Sequence, residues 1–245
     1  MSNGKNRGKR GDHMRIAGLQ KLTLLDYPGQ VACTVFTCGC NLRCPFCHNA
    51  ALVLPERMED GERMEDVLAF LEKRRGVLDG VAVTGGEPLL HDDLPDFLRA
   101  VRAMGYKIKL DTHGTLPDRL RAVLEEGLAD RVAMDVKNAP ELWAETAGAP
   151  VDMGALARSR DLLLGGAAEA YEFRTTVVRG LHTAESLLGA ARWIEGAREY
   201  YLQQFRDTGD LLAADGLGAF TDEEMRVLCE TVRSVVPTAA LRGVN

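Results

Sequence analysis

Strand signals alternating with amphipathic helices predict an α/β fold for this chain of 245 residues, in the form of an open partial (β/α)6 barrel. Three observations carry that expectation. Short β-rich runs recur after residue 30, with helical stripes of apolar residues between them, which is the pattern of βαβ units and a parallel sheet. Six such runs are legible, too few to close the eight-stranded barrel. Unusual polar residues also cluster where the runs end, and ligands of such sheets sit at the carboxyl ends of the strands.

The first strand is expected at Val31–Thr37, leading into the loop CNLRCPFC from Cys40 to Cys47. Met64, Val67, Leu68 and Leu71 then repeat at helical spacing. A strand at Gly80–Thr84 ends in Thr84-Gly85-Gly86-Glu87-Pro88, and Leu94, Phe97, Leu98 and Val101 mark the next helix, closed by Gly105. A strand at Lys107–Thr112 ends in Asp111-Thr112-His113-Gly114, followed by a helix with Leu120, Val123 and Leu124 and by Gly127. The strand at Arg131–Val136 ends in Asp135-Val136-Lys137. Strands at Glu172–Val178 and Glu199–Phe205 complete the set, the last ending in Gln203-Gln204-Phe205. Met225, Leu228, Cys229 and Val232 share one face of a C-terminal helix, so Cys229 reads as a small core hydrophobe, as does Cys33 inside the first strand.

The composition, 46% hydrophobic and 27% charged, is that of a globular protein with ample core. No apolar run approaches the ~20 residues of a membrane span. The start is polar and basic and unlike a secretory signal, so a cytoplasmic location is expected, with no membrane partner. Residues 1–14 are read as a disordered basic arm and 15–245 as one domain. The arm carries a local +3, so a chain of net charge −6 has a body of −9. Such an acidic body argues against nucleic-acid binding.

Four of the six cysteines crowd into residues 38 to 47, which points to metal binding rather than a disulfide framework. Cys40, Cys44 and Cys47 are spaced C-x3-C-x2-C, a loop able to present three thiolates to a multinuclear iron cluster and to leave one iron open. A zinc site with Cys38 or His48 as fourth ligand is the alternative, although zinc sites usually join two separated ligand pairs. Phe46 supplies an apolar neighbour that shields sulfur from water. Gly85 and Gly86 would let backbone approach a ligand with no Cβ in the way, and Glu87 could hold an ammonium group. Asp111 could bind a hydroxyl, an ammonium or a cation. Asp135 and Lys137 alternate at a strand end and are expected on opposite faces while the strand stays regular, with Lys137 reaching a ligand carboxylate where the strand frays. Arg174 lies inside an apolar strand, where a guanidinium needs an anionic partner. His91, His113 and His182 are expected in surface or capping roles.

Together these residues resemble the radical S-adenosylmethionine (SAM) superfamily, through the three-cysteine loop with its aromatic and the GGE stretch after the second strand. The resemblance extends to the activating enzymes of glycyl-radical proteins, and within them to the anaerobic ribonucleoside-triphosphate reductase activating proteins. It rests on LQKLTLLDYPG (Leu19 to Gly29), FTCGCNLRCPFCHN (Phe36 to Asn49), VTGGEPLL (Val83 to Leu90), LDTHG, MDVK and YLQQF. Cys38, His113 and Arg179 depart from the common pattern of those proteins.

The resemblance implies that Cys40, Cys44 and Cys47 hold a [4Fe–4S] cluster and that SAM chelates the fourth iron. Gly85, Gly86 and Glu87 would contact the SAM amino end, and the backbone around Phe46 would read adenine. Asp111, Asp135 and Lys137, with Arg174 as a weaker transfer, would line the SAM pocket or a nearby monovalent-cation site. A low-potential donor such as flavodoxin or ferredoxin would supply the electron that cleaves SAM to a 5′-deoxyadenosyl radical. That radical would take an α-hydrogen from a glycine of a partner, an anaerobic ribonucleotide reductase. Two alternatives stand beside this: a radical SAM enzyme acting on a small molecule, and a zinc-stabilised interaction domain without enzymatic activity.

Overall fold

The computed structural model describes residues 14–54, 57, 61–207, 209, 211–213 and 215–244. An eight-stranded sheet runs in chain order through β1 (Ile16–Thr23), β2 (Ala32–Thr37), β3 (Gly80–Gly85), β4 (Lys107–Thr112), β5 (Arg131–Asp135), β6 (Ala170–Val177), β7 (Tyr200–Gln204) and β8 (Ala240–Arg242). β1 pairs antiparallel to β2, and every later neighbour is parallel. The six expected strands are present as β2 to β7, with ends shifted by at most two residues. The sheet is therefore an open α/β partial barrel, larger by two strands than the sequence suggests. β1 contains Gly18 and is exposed toward its end, and β8 is three half-buried residues. Edge strands of that kind carry a weak apolar signal.

The register sorts the strand residues into two faces. On one, Val35 pairs with Val83, Val83 with Leu110, Leu110 with Val132, and Val132 with Tyr171. All five are buried, and they pack with the helices in one hydrophobic cluster. On the other face Lys109 pairs with Arg131, Asp135 with Arg174, and Gln203 with Arg242. That polar face looks into the barrel.

The outer layer comprises α1 (Ala50–Val53), α2 (Met64–Lys73), α3 (Leu94–Ala103), α4 (Pro117–Glu125), α5 (Trp143–Ala147), α6 (Met153–Leu164), α7 (Ala184–Trp193) and α8 (Asp222–Arg233). The expected stripes are the buried faces of α2, α3, α4 and α8, apart from Met64 and Leu68, which are half-buried. Thr183 and Thr221 open α7 and α8 with capping boxes, which satisfy backbone donors that have no partner within the helix. Cys33 and Cys229 are buried in the core as expected. Residues 1–13 of the basic arm lie outside the described residues. Met14, assigned to the arm, belongs instead to the body: it is buried, and its backbone N donates to the Asp93 carboxylate at 2.8 Å. Among the described residues no helix is long and apolar enough to cross a membrane.

Candidate functional site

At the carboxyl ends of the strands lies a cavity of about 170 Å³, walled by Cys40, Cys44 and Cys47 on one side and Asp111, Asp135 and Arg174 on the other. Phe46, Gly85, Gly86 and Lys137 also line it, so every expected site residue except Glu87 reaches the cavity wall.

The cysteine loop is held by its own backbone and by neighbours. Leu42 N donates to Cys40 Sγ at 3.4 Å, and Arg43 Nη1 donates to the carbonyls of Cys40 and Leu42 at 2.6 and 2.7 Å. Arg43 N in turn reaches Ala147 O at the end of α5. Burial pushes the Cys40 thiol up to about 12 and raises that of Cys44, while the Lys137 charge draws both down. A metal would have to displace those protons, and the Lys137 charge eases their loss. Among the described residues, no three of His, Cys, Asp and Glu converge as the ligands of a single ion do. A cluster asks for something different, one thiolate for each of three irons. Three thiols lining one cavity are the donor set that such a cluster would take. Cys38 is buried and does not line the cavity.

The two glycines of GGE serve a closer purpose than ligand approach. A Cβ on Gly85 would overlap the Thr37 backbone, and one on Gly86 would overlap the Gly39 carbonyl. Gly86 N donates to Thr37 O at 2.9 Å and Glu87 N to Gly39 O at 2.7 Å. These contacts dock the loop after β3 directly onto the cysteine loop after β2. Glu87 is fully buried, and its carboxylate accepts from Leu89 N, Thr112 Oγ1 and His113 N at 3.1, 2.9 and 2.9 Å. It ties the β3 and β4 loops together rather than facing the cavity.

His113 is a correction to the surface role expected of it. It is buried, lines the cavity, and bonds Asn41 of the cysteine loop through Nε2 at 2.9 Å. Its Nδ1 accepts from Thr115 N at 3.3 Å, which leaves the proton on Nε2. Burial lowers its pKa despite the nearby Glu87, favouring the neutral ring. His91 and His182 do serve backbone groups: His91 bonds Cys38 O, and His182 accepts from Val178 N and bonds Lys137 O.

Asp135 and Lys137 are also corrected. They form a 2.8 Å ion pair and line the cavity together, because residues two apart along an extended chain share a face. Arg174 finds the carboxylate partners its position demands, reaching Asp135 at 2.9 Å and Asp111 at 3.0 Å. Burial opposes these charges, but Lys137 and Arg174 hold Asp135 well below the usual carboxylate range, and Asp135 holds Lys137 above the usual lysine value. Deeper in the barrel, Arg242 grips Glu172 with two bonds of 2.7 and 2.8 Å, and Arg131 joins Glu172 to Glu199. Lys109, Arg131, Glu172 and Arg242 escaped the sequence reading. The signal for the first three was the alternation of charged with apolar residues along β4, β5 and β6, whereas Arg242 ends the three-residue strand β8.

Fold and site together define an α/β partial barrel with a thiol-lined cavity at the strand ends. A family model described as the radical SAM superfamily matches residues 34–151. A protein of Methanocaldococcus jannaschii, carried under the provisional name of a glycyl-radical enzyme activating enzyme, is 26% identical over 237 residues, 94% of this chain and 96% of that one. A 7-carboxy-7-deazaguanine synthase of Methanopyrus kandleri is 34% identical over 118 residues, 40% of this chain and 46% of that enzyme. The crystal structure of Streptococcus suis SuiB bound to S-adenosylmethionine superposes with a TM-score of 0.66 at 15% identity, covering 84% of this chain and 48% of that one; this likeness is one of fold. By these matches the chain is a radical SAM enzyme, the superfamily model covering just under half of its length. That family works with a [4Fe–4S] cluster and SAM.

Proposed function

We propose that this protein activates a glycyl-radical enzyme, with an anaerobic ribonucleotide reductase as the partner expected from the sequence. The observation that carries this reading is the end-to-end match to an activating-enzyme relative. In this reading Cys40, Cys44 and Cys47 hold the cluster, and backbone at Gly85 and Gly86 meets the amino end of SAM. Lys137 and Arg174 supply positive charge to its carboxylate, and backbone around Phe46 meets adenine. Glu87 acts behind them, bracing the loops. When bound, the cluster supplies the electron that cleaves SAM to the radical that takes a glycine α-hydrogen. The protein's share is positioning and exclusion of water. Flavodoxin or ferredoxin is the proposed donor, and residues 15–245, with Met14 packed against them, the working domain.

The test is anaerobic reconstitution with iron and sulfide, SAM cleavage under reductant scored as 5′-deoxyadenosine, and electron paramagnetic resonance of the candidate partner afterwards. A glycine-centred radical is expected. Cleavage with no radical on any candidate partner would instead favour a small-molecule substrate, the reading that the local match to the deazaguanine synthase supports. One zinc per chain, with no iron and no cleavage, would end the enzymatic reading.

A further inference from the structure

Lys109 lies in β4 with only 2% of its surface exposed, among the largest fully buried side chains of the protein. Its Nζ pairs with Asp111 Oδ1. The other oxygen, Asp111 Oδ2, meets Arg174 Nη1 at 3.0 Å. Asp135 Oδ1 accepts from Arg174 at 2.9 Å and Asp135 Oδ2 from Lys137 at 2.8 Å. Each of the four carboxylate oxygens therefore already faces a fixed cation. Asp111 and Asp135 are the two aspartates that the family resemblance assigns to the SAM pocket or to a nearby monovalent-cation site. Such an ion does not fit. It would sit against the Lys109 ammonium and the Arg174 guanidinium, where like charges in a poorly solvated interior repel strongly.

We infer that Lys109 is the resident cation of this site. It is a positioning residue whose ammonium holds Asp111, and through Asp111 and Arg174 the anion-binding wall of the cavity, in place of a bound metal ion. Three cations and two carboxylates make up this chain of five side chains, leaving one positive charge over. The layer beneath is balanced within itself, with Arg131 and Arg242 set against Glu172 and Glu199. The surplus charge thus belongs to the cavity wall and suits one ligand carboxylate. Removing Lys109 cancels the surplus and frees a carboxylate oxygen, creating the vacancy a sodium or potassium ion could fill.

The test uses cluster-loaded protein, and its SAM arm rests on the function proposed above. Equilibrium SAM binding by the wild type is expected to agree within about twofold in sodium, potassium and tetramethylammonium chloride at equal ionic strength, since site-bound and screening ions differ. The sodium NMR line should not broaden with wild-type protein beyond a bovine albumin control. Lys109→Met should bind SAM about tenfold more weakly in tetramethylammonium, recover on adding sodium or potassium, and broaden the sodium line. That rescue is a response a merely structural lysine would not show. Wild-type binding that depends on sodium or potassium overturns the inference, as does a folded Lys109→Met that no cation rescues. Should Lys109→Met not fold, the wild-type cation dependence decides alone. Should the wild type not bind SAM at all, the functional reading fails, while the sodium line still decides the role of Lys109.

Discussion

Cys44 is the most enclosed of the three thiols that share the cavity, 8% exposed, while Cys40 and Cys47 are half-buried. Removing one ligand of a cluster leaves an iron without its thiolate. Cys44→Ala should therefore lose both the cluster absorbance and SAM cleavage. Cys38→Ala, outside the cavity, should keep both; loss of the cluster in that variant would show the ligand set to be misassigned. The cysteines were legible because their spacing within one loop is chemically specific. Glu87 was legible as a site residue but not in its role. A carboxylate next to two glycines reads the same whether it faces a ligand or, as here, accepts from Leu89 N, Thr112 Oγ1 and His113 N. His113 was misjudged for a related reason: a histidine at a strand end looks exposed until the Asn41 loop folds over it.

At the scale of elements, the loops after β2 and β3 form one unit through the bonds from Gly86 N to Thr37 O and Glu87 N to Gly39 O. Gly86→Ala forces a methyl group onto the Gly39 carbonyl. Overpacking of this kind costs about 1–3 kcal/mol, and the strain falls on the peptide just before Cys40. The expected outcome is a lower urea midpoint together with a weakened cluster. A Gly86→Ala variant with unchanged cluster content and midpoint would show that the two loops are not coupled. The strands β2 to β7 were legible because each is a β-rich run between helical stripes. β1 and β8 were not, since strands at a sheet edge are half-exposed and lack the continuous apolar run of a buried parallel strand.

Across the whole molecule, the polar faces of β4 to β8 enclose the charge network. Glu172 is fully buried within it; burial alone would raise its pKa, but Arg242, Lys109 and Arg131 bring it from 4.5 down to about 2. Because its folded value lies below its unfolded one, its contribution is complete above about pH 4.5 and is lost as the pH falls toward about 2, with a size of roughly 3 kcal/mol. Asp135, also held low, acts in the same direction. The melting temperature should therefore hold steady near neutral pH and fall steeply through that acid window. Arg242→Met should melt lower at neutral pH and show a shallower acid decline; an unchanged decline would remove Glu172 as its source.

The sequence by itself determined the alternating strands and helices, the three-thiol loop, and the placing of chemistry at the strand ends, because these depend on local spacing and on periodicity. Only the tertiary structure decided what the polar faces of the strands are for. Lys109, Asp111, Glu172 and Arg174 alternate with apolar neighbours as in any strand with one face in water. Curling the sheet turns that face inward, and side chains that would each be solvated become partners for one another around the cavity.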